Sequence, residues 1–104
     1  MATGTIKSNS EDISSSITAK NGATITSALR YGRVINIIGT IPANMPSGTQ
    51  VFTMSDYAPS HTVSAITTRS DVRGVISLTN SGVCSYITNQ TYAYAQNFQI
   101  MYIA

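Results

Sequence analysis

The chain has 104 residues and a mass of 11.1 kDa, room for one domain with a real core and not for two. Only 10% of its residues are charged while Ser and Thr together number 28 and Asn 7, so hydroxyls and amides dress the surface, as suits a β protein working outside cells. Net charge is +2 and the six basic residues, Lys7, Lys20, Arg30, Arg33, Arg69 and Arg73, form no run, so a nucleic-acid partner is not expected.

Residues 1–22 are polar and Ser-rich and hold Glu11 and Asp12, half of all the acids. They read as a linker or an irregular first strand, with Ile6, Ile13 and Ile17 touching the body. From Ala23 the sequence alternates with period two, the mark of half-buried strands. In ATITSALRY the alternation puts Ile25, Leu29 and Tyr31 on one face and Thr24, Thr26 and Arg30 on the other. After Gly32, RVINIIGTI places Ile35, Ile37, Gly39 and Ile41 on one face and Val34 and Ile38 on the opposite one. Pro42 and the run Pro46-Ser47-Gly48 interrupt any ladder, because proline lacks an N–H and glycine takes positive φ cheaply. TQVFTMS resumes as a short strand, which DYAPS breaks. TVSAITTR and VRGVISLT follow as strands separated by Ser70 and Asp71, with Ile76 and Leu78 alternating against Ser77 and Thr79. Asn80-Ser81-Gly82 signals a tight hairpin. VCSYIT, the Tyr-rich TNQTYAYAQN and a closing strand FQIMYI complete the chain. Seven or eight short strands at this spacing predict an all-β antiparallel sandwich or barrel over residues 23–104.

Two strands are apolar on both faces. In FQIMYI, Phe98, Ile100 and Tyr102 face one way and Met101 with Ile103 the other, and residues 34–41 repeat the pattern. A domain this small buries one such strand at a sheet centre, so a second one predicts that another subunit covers one of these faces. Cys84 stands alone, which excludes an intrachain disulfide. The longest apolar runs, such as VINII with Asn36 inside it, fall far short of the roughly 18 residues of a membrane span, so no membrane insertion is expected. The N-terminus lacks the apolar core of a secretory signal, so export would depend on something other than this segment.

Catalytic patterns are thin. Outside the N-terminal segment only Asp56 and Asp71 could serve as paired carboxylates, and both stand at loop starts where Asp commonly forms turns. His61 with Cys84 suggests a nucleophile and base, but Cys84 sits at strand spacing with no glycine loop beside it and reads as a small packed hydrophobe. One His and one Cys do not make a zinc site, and the glycines never form a phosphate loop, so no cofactor or metal is expected. What stands out is the cluster in SYITNQTYAYAQN, where Tyr86, Tyr92 and Tyr94 lie among Asn89, Gln90, Gln96 and Asn97. Such rings and amides suit stacking on sugars and bonding to their hydroxyls, and equally an edge loop or a subunit interface.

The order of turns carries a resemblance. A strand glycine, Gly39, precedes a loop with Gly48 and Thr49; a turn with Tyr57 and Pro59 follows; then come Gly74 and Ile76 and a hairpin with Asn80, Gly82 and Val83. In this layout residues 23–104 resemble the C-terminal head domain of phage tail-fibre and tail-tip receptor-binding proteins. The chain departs from that pattern where Ala58 replaces the Arg commonly found before the turn Pro, and in having no Trp.

The resemblance implies a non-catalytic, jelly-roll-like homotrimeric head at the tip of a longer fibre on the virion. Residues 1–22 would be its neck. Such a head adheres to bacterial surface saccharide or to a teichoic-acid-like polymer, with affinity multiplied by several heads per particle. The residues expected to bind are Tyr57, His61, Arg69, Asp71, Arg73, Tyr86, Asn89, Tyr92 and Tyr94, the tyrosines by stacking and the arginines by bonding hydroxyls or phosphates. Two alternatives stand beside it: a structural trimerisation or capping domain of a fibre, and a carbohydrate-binding module of a secreted bacterial hydrolase.

Overall fold

The computed structural model describes residues 10–104, and Ile6 with the rest of the first nine residues of the expected neck lies outside them. Nine strands form one sheet: β1 (Ser10–Asp12), β2 (Ile17–Ala19), β3 (Thr24–Tyr31), β4 (Val34–Ile41), β5 (Gln50–Met54), β6 (Val63–Thr68), β7 (Val72–Leu78), β8 (Val83–Ile87) and β9 (Gln96–Ile103). Their order across the sheet is β1-β3-β4-β9-β6-β7-β8-β5-β2, and every neighbouring pair is antiparallel. The all-β antiparallel expectation holds. No helix among the described residues is long and apolar enough to cross a membrane.

The segment read as a linker or an irregular first strand is, from Ser10 onward, part of this sheet, and it dictates the sheet's shape. β1 and β2 are the two terminal strands, yet only residues 13–16 separate them in sequence. Five Cα steps reach at most about 18 Å, whereas the edges of nine flat strands would lie about 38 Å apart. The sheet therefore curls until its edges almost meet, and the two layers of a sandwich become two halves of one surface. Ile13, in the short link, is buried in the core, and its N–H donates to the Ala28 carbonyl at 2.9 Å.

The enclosed core follows the alternation. Ile35, Ile37 and Ile41 of β4 are fully buried, as are Ile76 and Leu78 of β7, and Phe98, Ile100 and Tyr102 of β9 point inward beside them. Phe52 and Phe98 stack across the interior with centroids 6.2 Å apart and bind the β5 half to the β9 half. Gly39 lies opposite Phe98 in the β4–β9 ladder. A Cβ there would come within 2.6 Å of the Phe98 ring and would also strike the Thr24 carbonyl oxygen, so the ring packs directly on bare backbone. Gly74 plays the same part beneath the Tyr86 ring.

Bulges break the alternation in three places. Ile25 pairs with Gly39 but Ser27 pairs with Ile38, which leaves Thr26 as an extra residue and reverses the phase beyond it. The expected grouping of Ile25 with Leu29 and Tyr31 is thereby corrected: Ala28 is buried, Leu29 is half-buried and Tyr31 is exposed. In β5, Gln50 pairs with Ser85 and Phe52 with Cys84, so Val51 is the extra residue and two consecutive apolar side chains enter the core. The third bulge falls in β7, at Arg73.

Gly39→Ala should cost about 3 kcal/mol of stability, the upper end for overpacking, because one of the atoms in the way is backbone; the urea midpoint measures it. Burial pushes the Cys84 thiol from 9.0 and the Tyr102 phenol from 10.0, both up to about 12. The folded chain thus keeps protons that the unfolded chain releases, so stability should hold below pH 9 and fall as pH rises from about 9 to about 12. Urea titrations across that range should show the fall, and Tyr102→Phe should make it shallower.

Candidate functional site

At one end of the sheet, where β6 turns into β7 and the 88–95 loop enters β9, five of the expected binding residues come together. The hairpin supplies the cations. The Arg69 N–H donates to the Asp71 carbonyl at 3.2 Å, which closes the turn. Thr67 pairs with Gly74 and Thr68 with Val72, so Arg73 is the unpaired residue of the bulge. A bulge re-aims a side chain that strict alternation would place elsewhere.

The tyrosine loop is fixed at both roots. Gln96 is buried at the start of β9, where its Nε2 donates to the Tyr86 hydroxyl at 3.0 Å and its Oε1 accepts from Thr67 Oγ1 at 2.8 Å. At the other root the Thr88 N–H donates to Ser47 Oγ, and Thr88 Oγ1 donates to the Gln90 carbonyl at 2.8 Å. Mid-loop, the Asn44 N–H donates to the Tyr92 carbonyl at 2.7 Å, with Asn44 itself at a φ of 65°. A loop without regular structure is thereby held against two neighbours.

The arginines lie on the rings so held. Arg69 sits 4.4 Å from the Tyr94 ring centroid, and Arg73 lies 5.2 Å from Tyr94 and 5.3 Å from Tyr92. The two rings are 5.8 Å apart and tilted by 39°. Asp71 Oδ1 accepts from Arg73 Nη2 at 2.8 Å. Each cation–π contact at a partly exposed site is worth about 0.5–1 kcal/mol, and the partly exposed ion pair contributes no more than that. Their main effect is therefore orientation. Two guanidiniums against one carboxylate leave the cluster with one net positive charge. The expected division of labour shifts as well: one face of each tyrosine is already taken by an arginine, so the rings serve first as platforms that aim guanidinium N–H groups.

The remaining expected residues separate. Asn89 adjoins the cluster, sharing a shallow groove with Arg73, Gly74, Val75, Ile87 and Thr88. Tyr86 is a correction: it is fully buried, with its ring over Gly74 and its hydroxyl on Gln96, and has no face to offer a ligand. Tyr57 and His61 lie near the other end of β9, about 20 Å away by strand rise. There the Tyr57 carbonyl accepts from the Tyr102 hydroxyl at 2.7 Å, and the Tyr57 ring lies 5.3 Å from Arg30. Arg30 donates through Nε to Glu11 Oε1 at 3.0 Å, which ties the 55–62 loop to β1. Tyr57 adopts a φ of 66°, strained for an aromatic residue and held by these contacts. His61 is exposed in the same loop. These two residues do not share a site with Arg69, Arg73, Tyr92 and Tyr94.

Among the described residues no three His, Cys, Asp or Glu gather as a metal would require. Cys84 is fully buried on the inner face of β8, opposite Phe52, with its thiol pushed up to about 12 by desolvation. It should resist Ellman's reagent in the folded chain and react fully in denaturant, as an absorbance assay at neutral pH would show. No protein-family model matches this chain, and no curated protein matches it.

Proposed function

We propose that this chain is a non-catalytic receptor-binding head of the phage tail-fibre type, which adheres to bacterial surface saccharide through the Arg69–Arg73–Tyr92–Tyr94 cluster. The observation that carries the reading is the assembly itself: residues from a hairpin, a bulge and a separate loop converge on one exposed end, with net positive charge and paired guanidiniums. Guanidinium edges bond vicinal hydroxyls and, more strongly, carboxylate or phosphate groups on a polymer. Support also comes from the antiparallel scaffold and from the succession of turns that resembles those heads. In this reading the head is homotrimeric and sits at the tail tip outside the cell.

The capping-domain reading retains one observation in its favour, the uncharged outer surface of β4, β6 and β9 with Ile66, Met101 and Ile103 exposed, which is suited to contact between chains.

Binding to purified bacterial cell-wall polysaccharide decides between them. The double variant Arg69→Ala/Arg73→Ala should weaken binding by about 10-fold or more, from the loss of charge-assisted hydrogen bonds. Added salt should weaken the wild type further if the polymer bears phosphate or carboxylate, and little if it is neutral. Wild-type chain that binds no cell-wall polymer, or a double variant that binds as well as wild type, would overturn the assignment.

A further inference from the structure

We propose that the uncharged outer face of β4, β9 and β6 is the surface through which copies of this chain meet, an inference that rests on the homo-oligomeric part of the reading above. None of these three strands contains a Lys, Arg, Asp or Glu. Their outward side chains instead include Ile66, Met101 and Ile103, which are 54%, 56% and 64% exposed. The ladder sets them side by side: Val34 opposes Ile103, Asn36 opposes Met101 and Ile38 opposes Gln99. Ile38, Ile66 and Gln99 line one shallow groove on this face. The inner faces of the same strands are already buried in the core, and among the described residues nothing covers the outer ones.

The polar groups on this face select the occupant. Gln99 Nε2 donates to Asn36 Oδ1 at 3.0 Å across β4 and β9. Among the described residues nothing takes the Asn36 amide N–H groups or the Gln99 carbonyl, so the pair offers one donor side and one acceptor side. A charged partner would find no counter-charge here, whereas a second copy presents the same uncharged surface with its exposed Ile and Met side chains and the same amide donors and acceptors, which complement each other.

Area decides how many neighbours are needed. Three strands roughly 4.8 Å apart, two of eight residues and one of six at about 3.3 Å each, give a flat footprint of about 350 Å², less than half of the ~800 Å² per partner of a standard interface. The apolar row continues, however. Ile66 pairs with Val75 and Val75 with Ile87, which is 49% exposed, while Tyr31 pairs with Val34 on the opposite side. The belt thus runs from β3 to β8. On a curled sheet a belt that wide faces more than one direction, so two neighbours around an axis cover it where one would not.

Light scattering on a sizing column at micromolar concentration tests this directly. Wild type should run as an oligomer of the 11.1 kDa chain, and Ile66→Lys/Met101→Lys should run as a monomer with an unchanged far-ultraviolet circular dichroism spectrum. Should the variant fail to fold, peroxide oxidation of wild type gives the answer independently, because Met101 should be protected in the concentrated sample and oxidise on dilution. A wild-type oligomer whose Met101 oxidises freely, or a folded variant that stays oligomeric, would overturn this face and leave the receptor-binding reading standing. Wild type that is monomeric, free or carried upward with phosphatidylcholine vesicles on flotation, would overturn both this face and the trimer. Polysaccharide binding by the Arg69→Ala/Arg73→Ala variant is a separate readout.

Discussion

Closing the sheet is the constraint on which the rest of the structure depends. Nine antiparallel strands enclose a single core only when the two edges are brought together, and one ten-residue segment does this by pairing its start with β3 and its end with β5. The link between the pairings, too short to cross a flat sheet, forces the curl, and Ile13 fills the space beneath it. Stacking of Phe52 on Phe98, seated on Gly39, then joins the two halves from within. Large side chains fill the interior, and the candidate site lies at one end of the sheet.

The end with the Arg–Tyr cluster is built differently from the sheet that supports it. Buried Gln96, Thr67 and Tyr86 satisfy one another's polar groups and anchor the tyrosine loop at its root, so positional precision in an irregular segment is inherited from the core. A full hydrogen-bond network at the root and weak, adjustable contacts at the tip together aim the guanidiniums, with Arg73 Nε buried and without a hydrogen-bond partner among the described residues. The opposite end, with Tyr57 held at positive φ under Arg30, uses its aromatic residue as a fastening between a loop and the closing segment.

Much of this was legible in the sequence wherever side chains alternate without interruption. Period two correctly separates the inner and outer residues of β4, β9 and the 76–78 end of β7, and Asn80-Ser81-Gly82 marks its hairpin. Bulges were not legible, because Thr26, Val51 and Arg73 carry no compositional mark of the extra residue, which shows only in the partner strand's register. The burial of Tyr86 could have been read: it shares parity with Cys84, already recognised as a packed hydrophobe, and Gln96 likewise shares parity with Phe98 and Ile100. The convergence of Arg69 and Arg73 on Tyr92 and Tyr94 needed strand order as well, since β9 lies beside β6 through contacts far apart in sequence.

The same closing segment bears on how this chain can and cannot aggregate. Sheet proteins are at risk where a long unpaired strand offers its backbone as a template for fibrils. Among the described residues the terminal strands are three residues each, a short template, although the sequence is rich in β-branched residues and poor in charge. An edge this short gives backbone growth little to extend, whereas contact through a face is limited in number by its side chains.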